Sequence, residues 1–369
     1  MSSIRVVCVA AARPNFMKVK PVVDALEHLG VEVVLVHTGQ HYDRTMSEVF
    51  FDDIRLRPPD HHLGIGSGGH AAQVGNVMLA FEPLLHALSP RVVVVVGDVN
   101  ATVACALVAA KSGQLVGHVE AGLRSRDWSM PEEVNRVVTD AVSDLLFAPS
   151  EDAVENLLAE GVHPDRIVLA GNVMIDTLLD NASRAEARPV LDLLGVERGR
   201  FGLVTLHRPS NVDDPTTLDR ILDTMEEAAK RLPLVFPVHP RTAGRMAGRA
   251  LADGITVTEP LGYLDFLCLE AAAKVVLTDS GGIQEETTAL GVPCLTLREN
   301  TERPITITEG TNRLVGTDRS RILDALDDVT EHRVERRCLA LWDGSAGRRI
   351  ANAIVAAATS ARVRRPTER

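Results

Sequence analysis

Three acidic residues stand where buried strands should end or a helix begin. Asp98 follows Val92–Val96, Glu120 follows Leu115–Val119, and Glu132 opens the segment Pro131-Glu132-Glu133. Facing carboxylates raise one another's pKa and divide into acid and base, which suits proton transfer at carbon or oxygen. Each alone also reads as a helix cap; three at one end of a sheet are harder to explain so. Two His-Arg elements, His207-Arg208 and His239-Pro240-Arg241, also follow apolar runs. Imidazole and guanidinium there suit phosphate binding or protonation of a leaving group.

A third kind of site is written in VVLTDSGGIQEE, Val275 to Glu286. An apolar strand meets a Gly-Gly turn and then a helix. Ser280 is placed to cap that helix, and Gly281 and Gly282 let a diphosphate approach its free N–H groups. Glu286, one turn in, can accept hydrogen bonds from ribose hydroxyls. An ordinary tight turn has the same spelling. Arg298 and Arg303, in the polar stretch after Cys294–Leu297, are forked donors for a phosphate. Arg13 and Lys18 follow the first apolar run, where Ala10-Ala11-Ala12 lacks a dinucleotide fingerprint. Gly64 to Gly69 matches G-x-G-x-x-G by spelling, but Pro58 to His62 precede it instead of a strand, so a flexible loop is expected.

Short Val-rich runs alternate with amphipathic stretches. Ile4–Ala10, Val31–Val36, Arg91–Val96 and Leu115–Val119 read as strands, with Val19–Leu29 and Ala71–Leu88 as intervening helices. A second series follows Gly171: strands at Phe201–Leu206, Leu234–Val238, Ile255–Thr258, Val275–Leu277 and Cys294–Leu297, with helices at Thr216–Arg231 and Gln284–Leu290. This rhythm predicts an α/β protein of two Rossmann-like, doubly wound domains. The expected bounds are 1–170 and 171–344, with a crossover helix at about 345–360 packing back on the first domain. Ligands gather at the carboxyl ends of strands in such sheets, so one site in a cleft between the domains is expected.

The chain has 369 residues and a formal net charge of -11, which argues against a nucleic-acid partner. The basic cluster at Arg362 to Arg369 reads as a solvated tail. Five scattered cysteines without CxxC spacing read as core thiols in a reducing compartment, and no His and carboxylate spacing suggests a metal. Without a signal-like start or a membrane-length apolar run, a cytoplasmic protein is expected.

In order along the chain, ARPNFMK, TGQH, GD at Gly97-Asp98, HVEAGLRS, MPEEVNR, LHRPSN, PVHPRT and LTDSGGIQEE followed by TERP resemble the non-hydrolysing UDP-N-acetylglucosamine 2-epimerases. The resemblance implies a glycosyltransferase-B-like fold, a homodimer, no cofactor, and a UDP-sugar substrate. It also implies anti elimination of UDP to 2-acetamidoglucal followed by re-addition. By motif match Asp98, Glu120 and Glu132 handle protons, and His207 stands by the diphosphate. Arg13, Lys18, Arg136, His239 and Arg303 are expected at phosphate or sugar. Ser280, Gly281, Gly282 and Glu286 are expected at phosphate and ribose, with Phe266 near the uracil or in the core. Pro209-Ser210-Asn211 departs from the common pattern, as does Tyr42-Asp43-Arg44 after the Gln40-His41 that resembles part of an activator site. The stretch His37 to Met46, with Leu63 to Gly68, also resembles epimerases of UDP-2,3-diacetamido-hexuronic acids. A hydrolysing epimerase, a glycosyltransferase of the same fold and a UDP-sugar-binding regulator are the alternatives.

Overall fold

The computed structural model describes residues 4–39, 51–66, 68–246, 248–332 and 339–360, apart from the side chain of Arg13. The chain divides into two compact units, Met1–Thr177 with Ala340–Arg369, and Leu178–Leu339.

Unit 1 is built on a seven-stranded sheet of order β3-β2-β1-β4-β5-β6-β7. Its strands are β1 (Arg5–Ala10), β2 (Glu32–His37), β3 (His61–His62), β4 (Val92–Val96), β5 (Leu115–Val119), β6 (Leu145–Ala148) and β7 (Ile167–Leu169). All pairings are parallel. β4 is five consecutive buried valines, as a strand covered on both faces requires. The helix Ala346–Thr359 belongs to this unit and packs against the helix Arg13–His28. Gly347 makes the approach possible, because a Cβ there would collide with the backbone of Pro21.

Unit 2 carries a six-stranded parallel sheet of order β10-β9-β8-β11-β12-β13. Its strands are β8 (Gly202–Thr205), β9 (Leu234–Pro237), β10 (Ile255–Thr258), β11 (Val275–Thr278), β12 (Cys294–Thr296) and β13 (Asn312–Leu314). Its core joins β8, β9, β11 and β12 to the helices Pro215–Ala229 and Arg319–Glu331. Strand order reverses between β1 and β4 in the first sheet, and between β8 and β11 in the second. At such a switch point the flanking loops part and leave a crevice beyond the strand ends.

Two expectations are corrected. The run before the glycine-rich segment does include a strand, since His61–His62 pair with Val36 and His37. Asp60 anchors that edge by accepting from the Leu35 N–H at 2.7 Å. The segment after it is tied down as well: Leu63 N–H donates to His37 and Ile65 N–H to Thr38. Ser280 occupies the N-cap of the helix Gly281–Leu290, but its side chain makes no capping bond. Its own N–H instead donates to Thr278 Oγ1 at 2.9 Å.

Candidate functional site

At the switch point of unit 1, Gly97 follows β4 in a left-handed conformation, φ +67°. A Cβ at Gly97 would lie 3.1 Å from Lys18 Nζ, 3.3 Å from Asn15 Nδ2 and 3.3 Å from Glu120 Oε2. A side chain there would crowd all three groups, and the left-handed backbone itself favours glycine. Lys18 ion-pairs with Glu120, and both are buried. Asn15 receives the Ala12 N–H at 3.0 Å and donates to Val96 O at 3.2 Å, tying the start of its helix to the end of β4. Glu120 itself has φ +71°, uncommon for a non-glycine residue. Its N–H and that of Ala121 both donate to Phe147 O at 3.1 Å, which holds the turn. Strain of this kind gathers at sites whose surroundings over-determine the geometry.

Asp98 pairs with Arg136 at 2.5 Å, and Arg136 also bonds Glu133. Glu133 is consumed by structure: it accepts from Ser125 N–H, Ser125 Oγ and Arg126 N–H. Its neighbour Glu132 is half-buried and makes no hydrogen bond or ion pair among the described residues. Adjacent glutamates on one helix thus divide the labour, one a brace and one an available carboxyl group. Beneath Gly97, the buried His118 bonds Gly97 O at 2.8 Å and Asp140 at 2.6 Å. Burial pushes the Asp140 carboxyl up, but the charges of His118 and Arg124 outweigh it and hold the group below its usual range. Asp98, Glu120, Lys18 and Arg136 therefore meet around one glycine, and the side chain of Arg13 lies outside the described residues. So do Gln40, His41 and the segment to Met46.

Unit 2 places a different chemistry at its switch point. Thr205 of β8 pairs with Thr278 of β11, so the residues just beyond, His207 and Asp279, are neighbours. His207 Nδ1 lies 2.9 Å from Asp279 Oδ1. Asp279 also accepts the His207 and Arg208 N–H groups and the Asn211 side-chain amide. Burial raises the Asp279 carboxyl, but its bond to His207 and these donors hold it below its usual range. A buried carboxylate on Nδ1 fixes the imidazole tautomer and leaves Nε2 for chemistry. Within LTDSGGIQEE nothing local marks Asp279 for this role, because its partner His207 lies on another strand's end. His239 caps the helix Pro240–Arg245 by accepting the Arg241 N–H at 3.2 Å, with its ring 5.6 Å from that of His207.

The turn at Gly281 is as tight as its spelling suggests, for a reason the spelling conceals. A Cβ there would sit 2.5 Å from Arg303 Nη1 and 2.6 Å from Glu302 Oε1. Arg303 bonds Glu302 and lies 2.9 Å from Glu285, while Arg298 holds Glu302 at 2.8 Å. Burial raises the Glu302 carboxyl, but Arg303 and Arg298 overcome it and drive the group far below its usual range. With Arg208 3.8 Å from Glu302, three guanidinium groups and two carboxylates meet beside this helix N-terminus. One positive charge is left over, which suits an anion. Glu286 is buried on that helix, and Phe266 is half-buried on the helix Tyr263–Ala272. Among the described residues no group of three His, Cys, Asp or Glu is placed to hold a metal ion.

Carboxyl groups at one parallel-sheet switch point, with a histidine and an arginine-rich helix N-terminus at another, fit the class of α/β enzymes that act on an anionic substrate. The model of the family described as UDP-N-acetylglucosamine 2-epimerase matches residues 24–355, and the chain belongs to that family. It is 42% identical over 331 residues to the UDP-N-acetylglucosamine 2-epimerase of Methanocaldococcus jannaschii, covering 86% of this chain and 90% of that one. It is 40% identical over 326 residues to the UDP-2,3-diacetamido-2,3-dideoxy-D-glucuronate 2-epimerase of Pseudomonas aeruginosa, covering 87% and 91%. The crystal structure of the M. jannaschii UDP-GlcNAc 2-epimerase with UDP-GlcNAc and UDP matches with a TM-score of 0.89, at 39% identity, over 96% of this chain and 100% of that one.

Proposed function

We propose that the chain interconverts UDP-N-acetylglucosamine and UDP-N-acetylmannosamine without net hydrolysis. A carboxylate of unit 1 takes the proton from the second sugar carbon while the anomeric C–O bond breaks. The electron pair of the C–H bond becomes the double bond of 2-acetamidoglucal, and the C–O pair leaves with UDP. Re-addition of UDP, with a proton delivered to the other face, gives the epimer. Asp98, Glu120 and Glu132 are the proton-handling groups in this reading, and Lys18, Arg136 and Arg13 steady the sugar and diphosphate. His207, oriented by Asp279, stands by the leaving phosphate. Gly281 and Gly282 offer N–H groups and Ser280 its hydroxyl to the diphosphate, with His239 and Arg303 in support. Glu286 takes the ribose, and Phe266 the uracil. The observation that carries the reading is the meeting of Asp98, Glu120, Lys18 and Arg136 around Gly97.

Proton NMR of the enzyme with UDP-N-acetylglucosamine in heavy water tests it. The expected result is a UDP-N-acetylmannosamine signal with deuterium at the second sugar carbon. Free N-acetylmannosamine would replace this reading with a hydrolytic one. The Pseudomonas relative favours one further substrate, a UDP-2,3-diacetamido-hexuronic acid, and the same experiment with that sugar decides between the two. A homodimer fits the strongly exposed Leu79 on the helix His70–Leu88, and light scattering would report it. Cytoplasmic residence fits the four described cysteines, all buried and free. No helix among the described residues is long and apolar enough to cross a membrane.

A further inference from the structure

The helix Tyr263–Ala272 buries Glu270 completely, and among the described residues neither of its side-chain oxygens has a hydrogen-bond partner. Glu286, on the adjoining helix Gly281–Leu290, is also buried, and its Oε1 has none. These two helices pack together, and the carboxyl groups feel one another's charge. Tyr263 lies two turns before Glu270 on the same helix face, with its hydroxyl beside Glu286. The other groups facing the pair are Glu285, which is held by Arg303, and the Cys294 thiol of β12. Asp180 bears on Tyr263. Among the described residues no cation forms an ion pair with Glu270 or Glu286.

A buried, unpaired carboxylate costs several kcal/mol, so such a group keeps its proton. Burial, then the charge of Glu286, pushes the Glu270 carboxyl far above its ordinary value. Burial, then the charge of Glu285, raises Glu286 to about 8. Glu270 is therefore the group that burial holds in its neutral form, with one O–H to donate. Near neutrality Glu286 is mostly protonated as well. A vicinal diol offers two donors and requires an acceptor.

From this geometry we infer that Glu270 is a positioning residue for the ribose: as a neutral acid it supports Glu286 as an ionised acceptor, so that a diol-bearing nucleotide binds with release of a proton. The inference rests on the reading that Glu286 meets the ribose. It gives the nucleotide half of the site a test for the two hydroxyl groups, independent of the phosphates. A ligand without them leaves Glu286 protonated and unmatched.

Titration calorimetry of the full-length protein at pH 7, in buffers of different ionisation enthalpy, reads the proton directly. UDP is expected to release close to one proton, and 2′,3′-dideoxy-UDP none. Glu270→Gln keeps a neutral donor and should hold UDP within about threefold of the native affinity. Glu270→Met removes the donor and should weaken UDP about tenfold while leaving the dideoxy ligand unchanged. Its melting temperature should not fall, because an apolar residue relieves the buried acid. UDP binding without proton release would overturn the inference and leave the nucleotide reading standing. Equal loss in the Gln and Met variants, or equal weakening of both ligands by Met, would also overturn it. Failure of UDP to bind the native protein would remove both.

Discussion

The two switch points solve opposite electrostatic problems. In unit 1 the candidate carboxylates Asp98 and Glu120 are ion-paired, to Arg136 and Lys18, so burial is offset charge by charge. In unit 2 the cations crowd Glu302 and Glu285, while Glu270 and Glu286 stay buried without a counter-ion among the described residues. One arrangement pairs its carboxylates with cations; the other buries carboxyl groups without them, which favours their neutral form. Proton transfer at carbon calls for the first, and recognition of hydroxyl groups is served by the second.

Removing the charges of unit 1 is expected to do the most damage. Asp98→Asn, Glu120→Gln and Glu132→Gln should each lower kcat by about 10³-fold or more, with UDP affinity largely kept. Full turnover in all three, measured by NMR, would dissolve the contrast between the units. Next in size, Asp279→Asn should cost about 10²- to 10⁴-fold in kcat, because the amide cannot hold His207 in the same tautomer. If His207→Gln and the double variant lose no more than Asp279→Asn does, the two residues act as one device. Gly281→Ala forces a methyl group against Arg303 and Glu302, whose ion pairs prevent either from yielding. A loss of about 1–3 kcal/mol in stability, seen by denaturant titration, is expected, with weakened UDP binding.

The smallest effect concerns pH. Glu286 sits at about 8 in the fold, against 4.5 when exposed, so the native state holds a proton that the unfolded chain has lost. The Glu286 contribution to stability should therefore fall as pH rises from about 4.5 to 8, by up to about 1.4 kcal/mol per unit, and level off above, while the raised Glu270 prolongs the decline. Glu286→Gln should flatten that slope. Asp140, Asp279 and Glu302, all held low, act the other way, and their contributions disappear as pH falls through their folded values.

Much of this was legible in the residues. Strands such as Leu115–Val119 and Leu234–Pro237 match the apolar runs that announce them, because a buried parallel strand must be apolar on both faces. The short β6, β7 and β13 were missed, being too brief to form a distinct run. The carboxylates and His-Arg elements were found because they interrupt apolar patterns at strand ends. Their partners were not, since nothing local marks them. His207 and Asp279 stand 72 residues apart in the sequence, and Lys18 and Glu120 stand 102 apart. Glu270 looks like the polar face of an amphipathic helix, and only packing shows that it is inside. Ser280 has the right type for a cap, but its hydroxyl is not used as one.

The seating of Gly347 on Pro21 also has a consequence for synthesis. The last helix completes a domain whose other parts left the ribosome before unit 2 was begun. At about 5–20 residues per second, the first sheet waits on the order of ten seconds or longer for its final support. During that time the surface of the helix Arg13–His28 that will receive it stays open to water and to chaperones.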